Sequence, residues 1–189
     1  MANNVYSEIP VLENERFILR GINKQKDAED LLQVYSDEKA VPLFNSDNCH
    51  GDDFHYSTME QMQKALEFWE FSYRERYFVR WAVEDKLSKA AIGTIELFNR
   101  RAEDYFNNCG LLRLDLRSDY ETRDCVKSIL SLIVPSVKEM FGCDKIATKA
   151  VACAKERIAV LERMNFCLSA ESLVGQDGTS YDSYYVLEV

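Results

Sequence analysis

Apolar positions follow two spacings along this chain of 189 residues, and each spacing predicts one kind of element. Four segments carry apolar side chains every three or four residues, which is the period of a helix with one buried face. Shorter runs rich in β-branched and aromatic residues are typical of strands. The pattern predicts helices around 28–35, 57–73, 121–141 and 154–164, and strands at 16–20, 77–83, 90–98, 111–116, 145–151, 166–168 and 183–189.

Local signals predict where these helices begin and end. The sequences at 57–60 and 118–121 both begin with Ser and end with Glu, which is the spacing of a capping box at a helix start. Pro135 lies inside the longest apolar stripe and predicts a kink, while Gly142 is typical of a helix end. The segment 41–56 is rich in turn residues and predicts an irregular loop between the first two helices.

The order of the predicted elements, β α α β β β α β α β β, indicates the fold class. A meander followed by strand–helix–strand units favours a mixed α/β sheet with helices on both faces. Apolar residues make up 47% of the chain, and it has only 7 glycines and 3 prolines, which excludes disordered and collagen-like classes. The length, without any linker-like stretch, predicts a single domain over residues 1–189.

Charge and cysteine content argue against several classes of function. The chain has 23 Lys and Arg against 32 Asp and Glu, and its net charge of −9 argues against binding to nucleic acid or an anionic membrane. Its six cysteines form no C-x-x-C pair and it has only two histidines, so we expect no metal and interpret the cysteines as free thiols. No apolar run is long enough for a membrane span, and the N-terminus lacks the features of a secretory signal, so we expect a cytoplasmic protein.

Four stretches, in this order and spacing, resemble one known family. They are ERFILR with the helix that follows it (15–32), WAVE through IGTI (81–95), the strand 112–116 with the long helix after it, and IAVLERMNF (158–166). Together they resemble the GNAT superfamily of acyl-CoA-dependent N-acyltransferases, nearest the branch that acetylates N-terminal residues of ribosomal proteins. The resemblance covers about residues 12–189.

This resemblance implies both a fold and an activity. The fold is a mostly antiparallel mixed sheet flanked by helices on both faces, with a parallel strand pair, 111–117 and 145–151, splayed around a cofactor cleft. The activity is that of an enzyme, an N-acetyltransferase that moves an acetyl group from acetyl-CoA directly to a primary amine. The implied acceptor is a small-molecule amine or a protein N-terminus, and a homodimer is left open.

The resemblance also implies cofactor-binding residues, although this chain departs from the family pattern. Backbone groups of Leu114 and Leu116 would pair with the pantetheine arm, and the loop before the long helix would hold the pyrophosphate at the helix N-terminus. In place of Q/R-x-x-G-x-G/A, the chain has Glu121, Thr122, Arg123, Asp124, Cys125 and Val126. Asp124 replaces a glycine and adds bulk and negative charge where the backbone would approach the anion.

A second departure lies in the late helix and leaves an alternative function open. Ala154 stands where the family usually carries an Asn that contacts the cofactor arm. Arg157 replaces a Ser three residues later, either as a new phosphate contact or as a solvated charge. The alternative is a catalytically degenerate protein of this fold that acts as a ligand-binding or protein-interaction module. A complete capping box at 118–121 would favour it, because the helix start would then satisfy its own donors.

Transfer of an acyl group to an amine requires a base for the ammonium and often an acid for the leaving thiolate. Glu96, on the strand beside the cofactor strand, is the first candidate for the base, and Asp115 is the second. Glu96 alternates with Ile95 and Leu97, which predicts that it faces the side opposite the core. The simpler interpretation of Asp115 is a cross-strand partner for Arg113 or an exposed charge. Tyr185 near the C-terminus is the candidate acid, with its neighbour Tyr184 as the alternative, although strand tyrosines are usually packing residues.

Overall fold

The computed structural model describes residues 5–189, which form one large sheet, helices on both of its faces and a small separate hairpin. Residues 1–4 lie outside the described residues. They begin the N-terminal segment in which we expect no secretory signal. The strands are β1 (Leu12–Glu13), β2 (Phe17–Gly21), β3 (Val79–Asp85), β4 (Ala91–Arg100), β5 (Cys109–Leu116), β6 (Lys145–Lys149), β7 (Cys167–Leu168), β8 (Leu173–Val174), β9 (Ser180–Tyr181) and β10 (Tyr184–Glu188). The helices are α1 (Lys24–Tyr35), α2 (Met59–Arg74), α3 (Arg123–Ile133), α4 (Val137–Phe141) and α5 (Lys155–Arg163).

The large sheet has the strand order β1-β2-β3-β4-β5-β6-β10-β7. Within it β5 and β6 run parallel, whereas the other neighbouring strands are antiparallel. The parallel pairing extends from Cys109 opposite Lys145 to Leu112 opposite Thr148, and β5 then continues to Leu116 against β4. The predicted mixed sheet with a splayed parallel pair is therefore confirmed.

Alternation along the strands buries an apolar layer on each face of the sheet. On one face, Leu112 and Leu114 pack in a core with Ile133 of α3 and with residues of α4 and α5. On the other face, Leu31 of α1 and Trp69 of α2 belong to a second core. The predicted helices on both faces of the sheet are therefore confirmed. The ends of β5 and β6 lie between the two helical layers.

The start of α2 is close to the predicted position, but its cap is one residue later. Thr58, and not Ser57, is the N-cap, and its side chain accepts a hydrogen bond from the Gln61 N–H. The Gln61 side chain accepts from the Thr58 N–H in return, which completes a capping box. Glu60 is therefore not the residue that reaches back, and the predicted box at 57–60 is wrong by one position.

The capping box predicted at 118–121 is wrong. Residues Ser118–Tyr120 form a single 3₁₀ turn, and α3 starts after Thr122, whose side chain accepts from the Cys125 N–H. The side chain of Glu121 does not return to the backbone of this turn, because it forms an ion pair with Arg157 of α5. Glu121 therefore pairs with a charged residue of a distant helix and does not form the predicted local cap.

Pro135 interrupts the long apolar helix, as the sequence predicts. A 3₁₀ turn over Val134–Ser136 contains the proline and separates α3 from α4. Gly142 ends α4 with a φ of 62°, a left-handed conformation that glycine adopts without steric cost. The glycine-containing stretch before the last strand, interpreted as a turn, forms the antiparallel hairpin of β8 and β9.

Within residues 5–189 no helix is both long and apolar enough to cross a membrane. The same residues contain no group of three or more His, Cys, Asp or Glu side chains placed to hold a metal ion. All six cysteines are free thiols.

Candidate active site where two parallel strands diverge

The candidate site lies at the point where β5 and β6 separate. Their pairing ends at Leu112 and Thr148, so Arg113 and Lys149 are the first residues beyond it. From there to Leu116, β5 is paired with β4 but not with β6, which leaves backbone groups along its second edge without a strand partner. A free strand edge can bind an extended polar chain through its N–H and C=O groups.

The alternation of β5 directs its side chains into two different environments. Leu112, Leu114 and Leu116 are buried in the core beneath α3. The side chains of Arg113 and Asp115 point to the opposite face, where they form hydrogen bonds with side chains of α1, β3 and β4. The backbone contacts predicted for Leu114 and Leu116 remain compatible with this geometry, because their side chains are buried in the core on one face of the sheet and do not cover the free edge.

Glu96 on β4 is enclosed by two arginines. Its carboxylate accepts hydrogen bonds from Arg80 Nη2 and Arg113 Nη1, and its side chain is 1% exposed. Burial alone would raise the pKa of Glu96, but the charges of Arg113 and Arg80 hold it below its ordinary value. Glu96 is therefore ionised with both oxygens engaged, a geometry that favours the role of a counter-ion.

Asp115 on β5 has one carboxyl oxygen anchored and the other without a partner. Oδ2 accepts from the Tyr35 hydroxyl at 2.8 Å and from Arg80 Nη1 at 3.3 Å. Oδ1 is buried and has no hydrogen-bond partner among the described residues. Burial raises the pKa of Asp115, although Arg80 and the Tyr35 hydroxyl oppose this effect. A carboxyl group with a raised pKa and a free oxygen is a stronger base than an ordinary Asp side chain and is suited to proton exchange.

Tyr35 and Arg80 support Asp115 from two different elements. Tyr35 ends α1, and its hydroxyl lies 2.8 Å from Thr94 Oγ1 and accepts from Arg80 Nη1 at 2.8 Å. The Arg80 Cζ lies 4.2 Å from the ring centroid of Trp69, which is a cation–π contact. Sequence analysis missed both residues. The signal that could have found Arg80 is a charged residue within an otherwise apolar strand, which must have a buried partner.

The loop between α1 and α2 reaches the same cluster through Asp47. Its carboxylate accepts from Lys149 Nζ, at 2.7 Å to Oδ1 and 2.6 Å to Oδ2, and Oδ2 also accepts from the Tyr184 hydroxyl at 3.0 Å. The Asp47 carbonyl accepts from Arg113 Nη2 at 2.8 Å. Burial and the Asp47 charge raise the pKa of Tyr184, so its hydroxyl stays protonated and donates. The predicted loop thus covers the point where the strands diverge.

Tyr185, the candidate acid, lies on the other face of the sheet from this cluster. Tyr184 and Tyr185 are consecutive on β10, so their side chains point in opposite directions. Tyr185 packs in the core shared with Leu114, whereas Tyr184 contacts Asp47. The structure therefore brings Glu96 and Asp115 together with Tyr184 and leaves Tyr185 apart from them.

Two ion pairs join the chain segments that follow the diverging strands. Arg157 Nη2 on α5 donates to Glu121, which follows β5, and Arg157 Nη1 donates to the Leu43 carbonyl at 3.2 Å. The Arg157 side chain is 2% exposed, and its Nε is buried without a partner among the described residues. Arg123 at the start of α3 pairs with Glu156 of α5 at 2.8 Å. Arg157 is therefore buried, and the alternative of a solvated charge is wrong.

The other predicted cofactor residues lie in the first turn of α3. Thr122 caps the helix through its side chain, and the side chain of Asp124 is exposed. Cys125 and Val126 are buried in the core, so an anion at this helix start would meet backbone N–H groups and not these two side chains. Arg123, bound to Glu156, is the basic side chain that the first turn contributes.

Comparison with known proteins identifies the family. The model of the acetyltransferase (GNAT) domain matches residues 16–166 of the chain. The chain belongs to the GNAT acetyltransferase family. A Bacillus subtilis (strain 168) protein, the uncharacterized N-acetyltransferase YoaA, is 23% identical over 181 residues, which is 92% of this chain and 93% of that protein. Membership in this family supports an acetyltransferase enzyme.

Solved structures of this family share the fold. The microcin self-immunity acetyltransferase MccE, in complex with acetyl-CoA and AMP, has a TM-score of 0.69 and 14% identity over 93% of this chain and 94% of that chain. A ribosomal-protein alanine acetyltransferase from Vibrio fischeri has a TM-score of 0.64 and 15% identity over 94% of each chain. At these identities the likeness concerns the fold.

The GNAT family uses acetyl-CoA, and the residues present fit the pantetheine arm of that molecule better than its diphosphate. The free edge of β5 offers backbone N–H and C=O groups to the amide groups of a pantetheine arm. The helix start that would receive the diphosphate has Glu121 and Asp124 in its sequence, and no glycine. This chain therefore has a free strand edge beside the cleft and departs from the family pattern at the loop before α3.

Proposed function

We propose that this single domain, residues 1–189, transfers an acetyl group from acetyl-CoA directly to a primary amine, with Asp115 as the group that accepts the amine proton. The observation that carries this proposal is the asymmetric environment of the Asp115 carboxyl, with Oδ2 anchored and Oδ1 buried and free. A base must be within reach of the proton that it removes, and Oδ1 is the free carboxylate oxygen of the cluster beside the diverging strands.

Asp115 is favoured over Glu96 because the two carboxyls differ in both charge and geometry. Burial raises the pKa of Asp115, which makes its carboxylate the stronger base of the two. The pKa of Glu96 is held low by Arg113 and Arg80, and these residues occupy its oxygens. In this proposal Glu96 keeps the two arginines in place, and Arg80 in turn orients Asp115.

Several residues are proposed to hold the co-substrate. Acetyl-CoA supplies the acetyl group as an activated thioester when it is bound. The backbone of Leu114 and Leu116 binds its arm along the free edge of β5, and backbone N–H groups of the α3 start, with Thr122 and Arg123, face its phosphates. Arg157 adds a cation at the same cleft, where Ala154 offers no polar side chain.

Direct transfer balances without a covalent enzyme intermediate. The deprotonated amine nitrogen attacks the thioester carbonyl, the new amide bond forms, and the C–S bond breaks with release of the thiolate. The acceptor ammonium loses two protons in all, of which one protonates the leaving thiolate and the other passes from Asp115 to solvent. Tyr185 lies on the opposite face of the sheet from this cluster, whereas the Tyr184 hydroxyl faces it and donates to Asp47.

A second function is favoured by one observation. The Arg157–Glu121 and Arg123–Glu156 ion pairs link the segments on either side of the cleft. A member of this fold that had lost coenzyme A binding could keep such pairs as permanent structure and act as a ligand-binding or interaction module. The two functions differ in whether coenzyme A binds at all, which calorimetry measures directly.

The test compares Asp115→Asn with Glu96→Gln in an assay of thiol release from acetyl-CoA over a panel of amines. We expect Asp115→Asn to lower kcat by about 10²–10⁴-fold while the calorimetric affinity for coenzyme A stays unchanged. Glu96→Gln keeps a base in place and should act mainly through stability. Full activity of Asp115→Asn contradicts the proposed base. Absence of both turnover and coenzyme A binding in the parent protein favours the module.

A further inference from the structure

The Asp47 carboxylate is held in a small socket at the point where β5 and β6 separate. Lys149 Nζ lies 2.7 Å from Oδ1 and 2.6 Å from Oδ2, and the Tyr184 hydroxyl donates to Oδ2 at 3.0 Å. Asn45 Nδ2 lies 3.3 Å from the same hydroxyl. Lys149 and Tyr184 face each other on β6 and β10, so the strand pairing fixes the socket while its occupant comes from a loop.

The socket has one further donor that the structure leaves unused. Arg113, the first residue of β5 beyond the parallel pairing, donates from Nη2 to the Asp47 carbonyl at 2.8 Å. Its Nε is buried and has no hydrogen-bond partner among the described residues. A buried unpaired donor is costly, and it indicates a site that a bound polar group would complete.

The charges around the socket balance only while Asp47 is present. The cluster contains the cations Arg80, Arg113 and Lys149 and the anions Glu96, Asp115 and Asp47. If the loop moves and Asp47 leaves, the strands retain three cations against two carboxyl groups. An excess of positive charge in a buried cluster attracts an anion and disfavours an additional cation.

Asp47 reaches the socket from a connecting segment and not from the sheet. It lies between the 3₁₀ turn Val41–Leu43 and the start of α2, in the loop that covers the cleft from the α1 and α2 face. The socket residues Lys149 and Tyr184 would therefore stay in place if this loop moved. The carboxylate of Asp47 then occupies a position that a carboxylate of a ligand could take.

We propose that the socket of Lys149 and Tyr184 is a carboxylate-binding subsite for the acceptor, and that Asp47 fills it in the free protein. The acceptor is then an amine that also carries a carboxylate, of which free amino acids are the simplest class. Its carboxylate binds Lys149 while its amine faces Asp115, and a polyamine, which brings only cations, is disfavoured. This proposal rests on the proposed function, because it names the acceptor of that same reaction.

The first experiment measures acetyl transfer to free amino acids and to the corresponding amino acid amides, which keep the amine but lack the carboxylate charge. We expect Lys149→Met to raise KM for the amino acids by about tenfold or more, with no comparable change for the amides. Asp47→Asn should lower KM for the amino acids, because the internal competitor loses its charge. Lys145→Met is the matched control, since Lys145 lies on the same strand and face but contacts Tyr105 and Glu188 instead.

The second experiment separates this proposal from the proposed function by measuring binding without turnover. Calorimetry compares N-acetylated amino acids with their amides on the parent protein, Lys149→Met and Lys145→Met. Binding that needs both the carboxylate and Lys149 supports the subsite even if no turnover is found. Turnover on amines with equal preference for amides and for amino acids overturns the subsite and leaves the proposed function standing. Absence of any carboxylate-dependent binding or turnover across the panel also overturns it.

Discussion

Glu121, which follows β5, forms a buried ion pair with Arg157, which lies on the helix after β6. The pair joins two chain segments that the divergence of the strands would otherwise hold apart. The Arg157 guanidinium also donates to the Leu43 carbonyl, and its charge opposes the burial that raises the pKa of Asp115, so the side chain lies beside the cleft. An anion that enters the cleft would compete with Glu121 for the same cation.

The first prediction follows from this competition. Glu121→Gln should tighten the binding of coenzyme A by about tenfold, because a like charge beside its phosphates is removed and Arg157 is freed. Isothermal titration measures the affinity, and pantetheine, which has no phosphate, serves as the comparison ligand. Glu60→Gln is the control variant, since Glu60 belongs to an exposed ion pair with Lys64 on α2.

The affinity for pantetheine should be the same in Glu121→Gln and in the parent protein. Arg157→Met should weaken coenzyme A and leave pantetheine unchanged or improved. If Arg157→Met strengthens the binding of both ligands equally, the arginine only obstructs the cleft and is not a phosphate contact.

The second prediction concerns the main core helix. Ile133 ends α3 and is fully buried in the larger core. Ile133→Ala should lower the free energy of unfolding by about 2–5 kcal/mol, because it removes buried methyl groups and leaves a cavity. Urea unfolding measures the change, and Ser131→Ala on the exposed side of the same helix should stay within about 0.5 kcal/mol of the parent. A loss as small as that of the control would contradict the assigned core.

The fold could be predicted from the sequence because its main signals are local and periodic. The stripe along α3 and α4, the kink at Pro135 and the helix end at Gly142 all depend on residues close together in the chain. The capping box at 118–121 failed for the opposite reason. The Glu121 side chain pairs with Arg157, which is 36 residues away in the chain, and no local sequence pattern predicts that pair.

The candidate site was only partly predictable, since its chemistry depends on contacts between distant segments. Glu96 and Asp115 were both identified as acidic residues on adjacent strands. Which of them has a raised pKa depends on Arg80, Arg113 and Tyr35, and the last of these is 80 residues from Asp115 in the chain. Alternation alone placed Tyr184 and Tyr185 on opposite faces but could not decide which face holds the charges.

The third prediction separates the structural role of Glu96 from a catalytic one. Glu96→Gln leaves Arg80 and Arg113 buried without their shared counter-ion, so it should lower the free energy of unfolding by about 3–5 kcal/mol at neutral pH. The folded-state pKa of Glu96 is depressed, so its contribution is present above its ordinary pKa of 4.5 and is lost as the pH falls below it. The difference between variant and parent in urea unfolding should therefore shrink as the pH is lowered through this range. A difference that grows toward acid pH would contradict the assigned ion pairs.

The last prediction concerns Tyr35 as a positioning residue for Asp115. Its hydroxyl donates to Asp115 Oδ2 at 2.8 Å, and this hydrogen bond favours the ionised carboxylate. Tyr35→Phe removes the donor and keeps the ring in its aromatic cluster, so the pKa of Asp115 should rise further. A base works only when it is ionised, and the acidic limb of the kcat/KM profile should therefore move to higher pH.

The measurement is the pH dependence of kcat/KM for acetyl transfer, with coenzyme A affinity followed in parallel. Tyr56→Phe is the matched control, because Tyr56 lies 5.4 Å from Tyr35 between ring centroids, while its hydroxyl donates to Asp52 and not to Asp115. We expect the acidic limb to shift in Tyr35→Phe and to stay in place in Tyr56→Phe, with coenzyme A affinity unchanged in both. A simple structural defect would lower the whole profile without moving its limb. That result would remove Tyr35 from the proton chemistry and would weaken the case for Asp115 as the base.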